Sequence, residues 1–261
     1  MEFNSDLKKI RETKPLIHHI TNFVVMNDSA NITLALGALP IMSHSEEELE
    51  DLISIAGALY LNIGTLDKNW IDSMMKAGKL AEKYNVPVLL DPVGMGASNL
   101  RNRTVENFLD SFKVNIIKGN GGEMLFLYGI KGGVKGVDSM KEASLDIAES
   151  IAKKYKTTAI ITGKIDFISD GRRNAKVENG TEMFQKITGS GCMLGSVISS
   201  FLAVNADFFI ASIEGLVTFE IAGEFASKNS EGPGSFRVKL IDEIYNFKKD
   251  NYKFAKVSLY D

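Results

Sequence analysis

The chain has 261 residues, of which 44% are hydrophobic and 24% charged, with a formal net charge of −3 at pH 7. That balance is ordinary for a globular domain, and a pI near 5.8 excludes capture of a nucleic-acid backbone by bulk charge. One cysteine excludes an internal disulfide, residues 1–15 lack an apolar signal core, and no apolar run could span a bilayer. The expected compartment is therefore the cytoplasm.

Taken in order, residues 4–14 predict an amphipathic helix stopped by Pro15. LIHHIT (16–21) predicts a short strand, leading through Asn22 and Phe23 into a helix that runs to Ala38 with Gly37 at its end. LPIMSHS (39–45) predicts a strand, and Ser45 a cap for the acidic helix 46–57. ALYLNIGT (58–65) reads as a buried strand, Asp67 as the cap of a helix from Trp70 to Tyr84, and 87–97 as a strand entering a glycine-rich loop. A short helix over 104–112, a strand over 114–120 and a helix ended by Gly129 follow. Next come a glycine-rich loop (131–139), a helix (140–155) and a strand (157–163). Residues 166–180 predict a hairpin turning at Asp170-Gly171. The remainder is helical over 192–204, 208–228 and 235–248, with a last strand within 253–260. This alternation implies a single α/β domain over 1–261, with a mainly parallel sheet covered on both faces.

In open parallel sheets, ligands bind beyond the carboxyl ends of the strands. Those ends carry Asn22, Met42, Asn62-Ile63-Gly64-Thr65, Asp91, Lys118-Gly119-Asn120 and Thr162-Gly163. Asp91 and Glu123 could hold Mg²⁺ through water, although Glu123 equally suits a helix N-terminus. Lys118 is a candidate point charge for a nucleotide phosphate. The stretch Ile187-Thr188-Gly189-Ser190-Gly191-Cys192 is a glycine-rich turn opening an apolar helix, a combination whose free backbone N–H groups and dipole attract phosphate. Simpler readings stand beside these. Cys192 suits a small buried apolar residue, Met42 and Trp70 suit packing, and His18, His19 and His44 are not spaced like a zinc set.

DPVGMGA, KGNGGE, ITGKID and TGSGC, in that order, resemble the motifs of the ribokinase-like vitamin kinases. With residues 20–48 they resemble, more narrowly, the hydroxyethylthiazole kinase family of thiamine biosynthesis, over a span from about Leu16 to 227. The resemblance implies a ribokinase-like three-layer fold. It implies transfer of the ATP γ-phosphate to the primary hydroxyl of 4-methyl-5-(2-hydroxyethyl)thiazole with Mg²⁺, by a homotrimer with sites at its interfaces. A related kinase acting on a hydroxymethylpyrimidine or another small alcohol is the alternative.

Position by position, the resemblance places Met42 and Gly189 at the thiazole, with Asn22, Val24 and Gly64 lining the same pocket. Lys118, Thr162 and Asn120 fall to ATP, and Asp91 and Glu123 to the metal. Gly189, Ser190 and Gly191 become the anion hole, and Cys192 stands where related kinases carry a catalytic aspartate. A modest role is expected of it. Two departures are visible: lysine at 118 where arginine is frequent, which loses the bidentate fork, and serine at 190 where threonine is frequent. The KGGVKGV loop (131–137) could close over ATP or be an ordinary surface loop.

Overall fold

The computed structural model describes residues 5–130 and 140–260, with side chains from Asp6 to Ile130 and from Leu145 to Tyr260. The glycine-rich segment 131–139 lies outside the described residues. One nine-stranded sheet runs through the protein in the order β2-β1-β3-β4-β5-β6-β7-β8-β9. Its strands are β1 (Leu16–Ile20), β2 (Leu39–Met42), β3 (Ala58–Asn62), β4 (Val88–Asp91), β5 (Ile116–Asn120), β6 (Thr158–Thr162), β7 (Asp166–Ser169), β8 (Asn174–Val177) and β9 (Val257–Tyr260). The first six pair in parallel and the last three antiparallel. The predicted α/β class and the hairpin at Asp170-Gly171 both match this architecture.

Helices cover both faces. On one lie α1 (Ser5–Thr13), α2 (Met26–Leu36), α8 (Ser190–Leu202), α9 (Phe208–Lys228) and α10 (Pro233–Asn246). On the other lie α3 (Leu49–Ile55), α4 (Lys68–Tyr84), α5 (Asn99–Ser111), α6 (Gly121–Tyr128) and α7 (Met140–Tyr155). Strand side chains sort between the two cores with period two. Tyr60, Leu89, Ile116 and Ile160 pack towards α8 and α9, while Leu59, Leu61, Leu90, Ile117 and Ile161 pack towards α4–α7. This parity sends Asn62, Asp91, Lys118 and Thr162, each two residues further on, to the α8 face at the carboxyl ends of their strands.

Two boundaries differ from expectation. Ser45 does not cap a helix: its carbonyl accepts the Glu48 N–H in a turn, the Glu48 carboxylate engages Ser43, and α3 starts at Leu49. Helix α5 begins at Asn99, not 104, because Ser98 Oγ accepts the Arg101 N–H at 3.3 Å. Asp67 does cap α4, through the Trp70 N–H at 2.8 Å.

Helix α8 is buried from Cys192 to Leu202 and crosses directly above Tyr60. A Cβ at Gly195 would lie 2.4 Å from the Tyr60 hydroxyl oxygen. Gly195→Ala is expected to lose about 1–3 kcal/mol through overpacking, outweighing a helix-propensity gain of about 1 kcal/mol; denaturant unfolding checks the sign. On the same face, the carboxyls of Asp166 at the start of β7 and Glu220 on α9 meet in the core. Burial and then the Asp166 charge push the Glu220 carboxyl well up; Glu224 adds to this and Lys256 opposes it. A raised folded-state value means the contribution is intact below about pH 4.5 and declines as pH rises, because the unfolded chain releases a proton the folded protein keeps. Glu220→Gln is therefore expected to stabilise the protein at pH 8 by at least about 1 kcal/mol, with the gain vanishing near pH 4; calorimetry at both pH values measures it.

Candidate active site

The N-terminus of α8 sits over the carboxyl ends of β3, β4 and β5. Gly189 precedes it with φ +80°, and a Cβ there would fall 2.1 Å from Val25 Cγ1, so only glycine fits. No side chain caps α8, and the Met193 N–H to Gly189 carbonyl bond, 2.9 Å, opens the helix. The amides of Ser190, Gly191 and Cys192 consequently have no carbonyl within the helix to bond. Ser190 spends its hydroxyl on the Phe184 carbonyl at 2.8 Å, so only its backbone N–H is left for an anion.

Beneath this turn lies a buried ion pair, Lys118 Nζ to Asp91 Oδ2 at 3.0 Å, with the two side chains 3% and 2% exposed. Asp91 Oδ2 also accepts the Tyr60 hydroxyl at 3.0 Å and Asn62 Nδ2 at 3.2 Å. Burial works against the Lys118 charge, but Asp91, Cys192 and Glu123 more than offset it, so the ammonium is retained. Burial raises the Asp91 carboxyl, against the pull of Lys118 and its hydrogen bonds. A Cβ on Gly191 would be 3.7 Å from Lys118 Nζ, which puts the ammonium directly under the helix N-terminus.

Glu123 ties two loops together. Its Oε1 accepts the Gly94 N–H and its Oε2 the Asn120 N–H, both at 2.8 Å, while Asn120 Oδ1 caps α6 through Gly122 and Glu123. Burial and the Asp91 charge raise the Glu123 carboxyl. The three donors all fall on Asp91 Oδ2 and each Glu123 oxygen accepts a single backbone N–H, so neither carboxylate has all its lone pairs engaged. The remaining lone pairs suit a hydrated Mg²⁺ held through water. Among the described residues no group of three or more His, Cys, Asp or Glu could hold a metal ion. His18 bonds the Ser43 carbonyl at 2.8 Å, and burial drives buried His19 down to about 4.

Cys192, in the first turn of α8, accepts from Asn62 Nδ2 at 3.2 Å and Asn22 Nδ2 at 3.6 Å. Burial and then Asp91 push its thiol up to about 11, with Lys118 and the two amides pulling the other way. It is therefore a neutral thiol at pH 7, not a thiolate.

The predicted residues fall into three groups. Asn22, Gly64, Asp91, Lys118, Glu123 and the Gly189–Cys192 turn converge; a Cβ on Gly64 would strike the Asn22 side chain at 2.5–2.8 Å. Thr162 and Asn120 pair across β5 and β6 at the edge of this cluster, with Thr162 Oγ1 on the Gly119 carbonyl at 3.3 Å. Met42 lines a cavity of about 150 Å³ with His19, Thr21, Phe23, His44 and Trp70, where Trp70 stacks on His44 at 3.8 Å. Val24, 61% exposed, donates its backbone N–H to Asn22 Oδ1 at 3.1 Å. Sequence reasoning missed Tyr60, and Arg101, whose guanidinium bonds the carbonyls of Ile63, Gly64 and Val93 and braces the β3 and β4 loops. It also assigned no role to Asn62. Strand parity is the signal that could have found Tyr60 and Asn62.

Comparison with known proteins identifies the family. The model of the hydroxyethylthiazole kinase family matches residues 7–250. The hydroxyethylthiazole kinase of Caldivirga maquilingensis is 57% identical over 99% of this chain and 97% of its own. The solved structure of the hydroxyethylthiazole kinase from Pyrococcus horikoshii superposes with a TM-score of 0.92 at 42% identity, covering 98% of each chain. A ribokinase-like superfamily protein from Enterococcus faecalis, 12% identical over 90% of this chain and 87% of its own, shares the fold with a TM-score of 0.67. A buried Lys–Asp pair under a glycine-rich helix N-terminus, on a ribokinase-like sheet, is thus found in a chain that belongs to the hydroxyethylthiazole kinase family.

Proposed function

We propose that this protein, acting as a single kinase domain in the cytoplasm, uses ATP and Mg²⁺ to phosphorylate the primary hydroxyl of 4-methyl-5-(2-hydroxyethyl)thiazole, in thiamine biosynthesis or salvage. One observation carries the reading: uncapped amides of α8, its dipole and the Lys118 ammonium converge on one point, which favours a transferring phosphoryl group. Phosphoryl transfer needs positioning and charge neutralisation more than covalent help. The Gly189–Gly191 turn and Cys192 present backbone N–H groups to the equatorial oxygens, and Lys118 adds a fixed positive charge. Asp91 and Glu123 would hold a hydrated Mg²⁺, which when bound would add charge neutralisation at the phosphates.

The substrate alcohol lies between Asn22, Gly64 and Gly189, and Met42 shapes the far wall from its cavity. Thr162 and the Asn120 turn line the nucleotide side. A neutral Cys192 is a weak base, so it orients the hydroxyl as a hydrogen-bond partner while proton loss follows bond formation to phosphorus. The exposure of Phe23 and Val24, 64% and 61%, suits a surface covered by another subunit, in keeping with a homotrimer that shares its sites.

ADP release from purified protein, ATP, Mg²⁺ and a panel of small alcohols tests the assignment: turnover is expected with the thiazole alcohol and not with hydroxymethylpyrimidine. Absence of thiazole-dependent release overturns it. Cys192→Ala is expected to lose no more than about tenfold in kcat, because a neutral thiol supplies no general base; complete loss with intact ligand binding refutes that role. Sedimentation is expected to give three subunits, and a stable monomer would remove the shared-site arrangement.

A further inference from the structure

Asn62 is fully buried at the carboxyl end of β3, and it makes more polar contacts within the cluster than any other side chain there. Its Oδ1 accepts Asn22 Nδ2 at 2.7 Å and the Gly64 N–H at 3.0 Å. Its Nδ2 reaches the Tyr60 hydroxyl at 3.0 Å, Asp91 Oδ2 at 3.2 Å and Cys192 Sγ at 3.2 Å. The two ends of one carboxamide therefore face different tasks. The oxygen end holds the wall around the alcohol, and the nitrogen end holds the carboxylate and the thiol. Asparagine is the side chain of this length that both accepts and donates; aspartate has no donor for Asp91, and leucine has neither.

The geometry points to Asn62 as a positioning residue for phosphoryl transfer, one that locks the alcohol-binding wall at Asn22 and Gly64 to the Asp91–Lys118 pair and to the Cys192 thiol. This rests on the kinase reading. The amide donates to Sγ, as does Asn22, so the sulfur's own hydrogen is turned away from both amides. Loss of the Asn62 donor frees the thiol to rotate and removes one of the two hydrogen bonds that favour its ionised form.

Two readouts separate the ends of the side chain. Cys192 is the chain's only cysteine, so alkylation by iodoacetamide reports on this thiol alone and needs no kinase activity. Asn62→Asp keeps the acceptor for Asn22 and Gly64 and replaces the donor with an oxygen. It is expected to slow alkylation between pH 7 and 9 by about fivefold, through a smaller thiolate fraction. With ATP and the thiazole alcohol, it is expected to lower kcat about a hundredfold while KM for the alcohol changes less than about threefold. Asn22→Ala removes the partner of the oxygen end, together with the longer 3.6 Å donation to Sγ, and leaves the Asn62 contacts to Asp91 and Tyr60 in place, so it is expected to raise KM with a smaller change in kcat. Asn62→Ser, a short hydroxyl side chain, serves as the second variant if Asn62→Asp fails to fold by circular dichroism, with the same direction expected in both readouts. Wild-type alkylation rates in folded Asn62→Asp or Asn62→Ser overturn the proposal whatever the substrate proves to be. An altered alkylation rate together with no thiazole turnover by the wild-type protein upholds the thiol contact and overturns the kinase reading alone. Equal loss in kcat and KM for Asn62→Asp and Asn22→Ala reduces Asn62 to a structural role and also overturns the division of labour.

Discussion

The Asp91–Lys118 ion pair is the constraint around which this end of the molecule is arranged. Two charges out of water are costly, and their mutual attraction offsets the cost only when the remaining hydrogen-bonding capacity is met. Tyr60 and Asn62 meet it on the carboxylate side. The adjacent strand ends of β3, β4 and β5 put all four side chains on the α8 face, with Asn62 and Asp91 directly paired in register. An ion pair in this position needs the parallel strand order, the period-two alternation and a helix crossing close above.

That helix adds an imbalance. A buried ammonium and a helix N-terminus are both positive, and they lie within contact of each other. Asp91 neutralises one of the two, which leaves the glycine-rich turn short of negative charge. The frustration is local, and under the proposed assignment a phosphate would relieve it, the transferring phosphoryl group at the point of reaction. Glu123 contributes to holding the Lys118 charge from a distance, while its two oxygens accept the amides of Gly94 and Asn120. It clips two neighbouring loops together.

Much of this was legible in the sequence, and the residues that were not share a reason. The strand–helix alternation and the caps at Asp67 and Gly37 are local signals, and they placed most elements to within a few residues. Helix α5 was recognised late because its first turn, Asn99-Leu100-Arg101-Asn102, is exposed or half-buried and shows no apolar stripe. Ser45 looked like a cap by position, but a serine two residues earlier holds the glutamate that closes the turn. At the site, Asp91 and Lys118 are conspicuous because a charge appears just where an apolar strand stops, and the glycine-rich turn because its glycines cluster ahead of an apolar helix. Tyr60 is hidden, since a tyrosine in an apolar strand looks like packing until the helix above it is known. Met42 and Val24 rest on resemblance alone, because a methionine ending an apolar strand and a valine in an exposed turn carry no local signal of ligand contact.

The contact between Gly189 and Val25 joins segments that the chain separates by more than a hundred and sixty residues. Val25 leads into α2 just past Asn22, and its methyl group occupies the space where any side chain at 189 would have to go. Under the proposed kinase assignment, the acceptor wall and the phosphate turn would share this single partition. A larger residue at 25, selected to admit a different alcohol, would then push on the turn that takes the phosphoryl group. Substrate range and catalytic rate would be unable to drift independently, and changes at this partition would have to be made on both sides together.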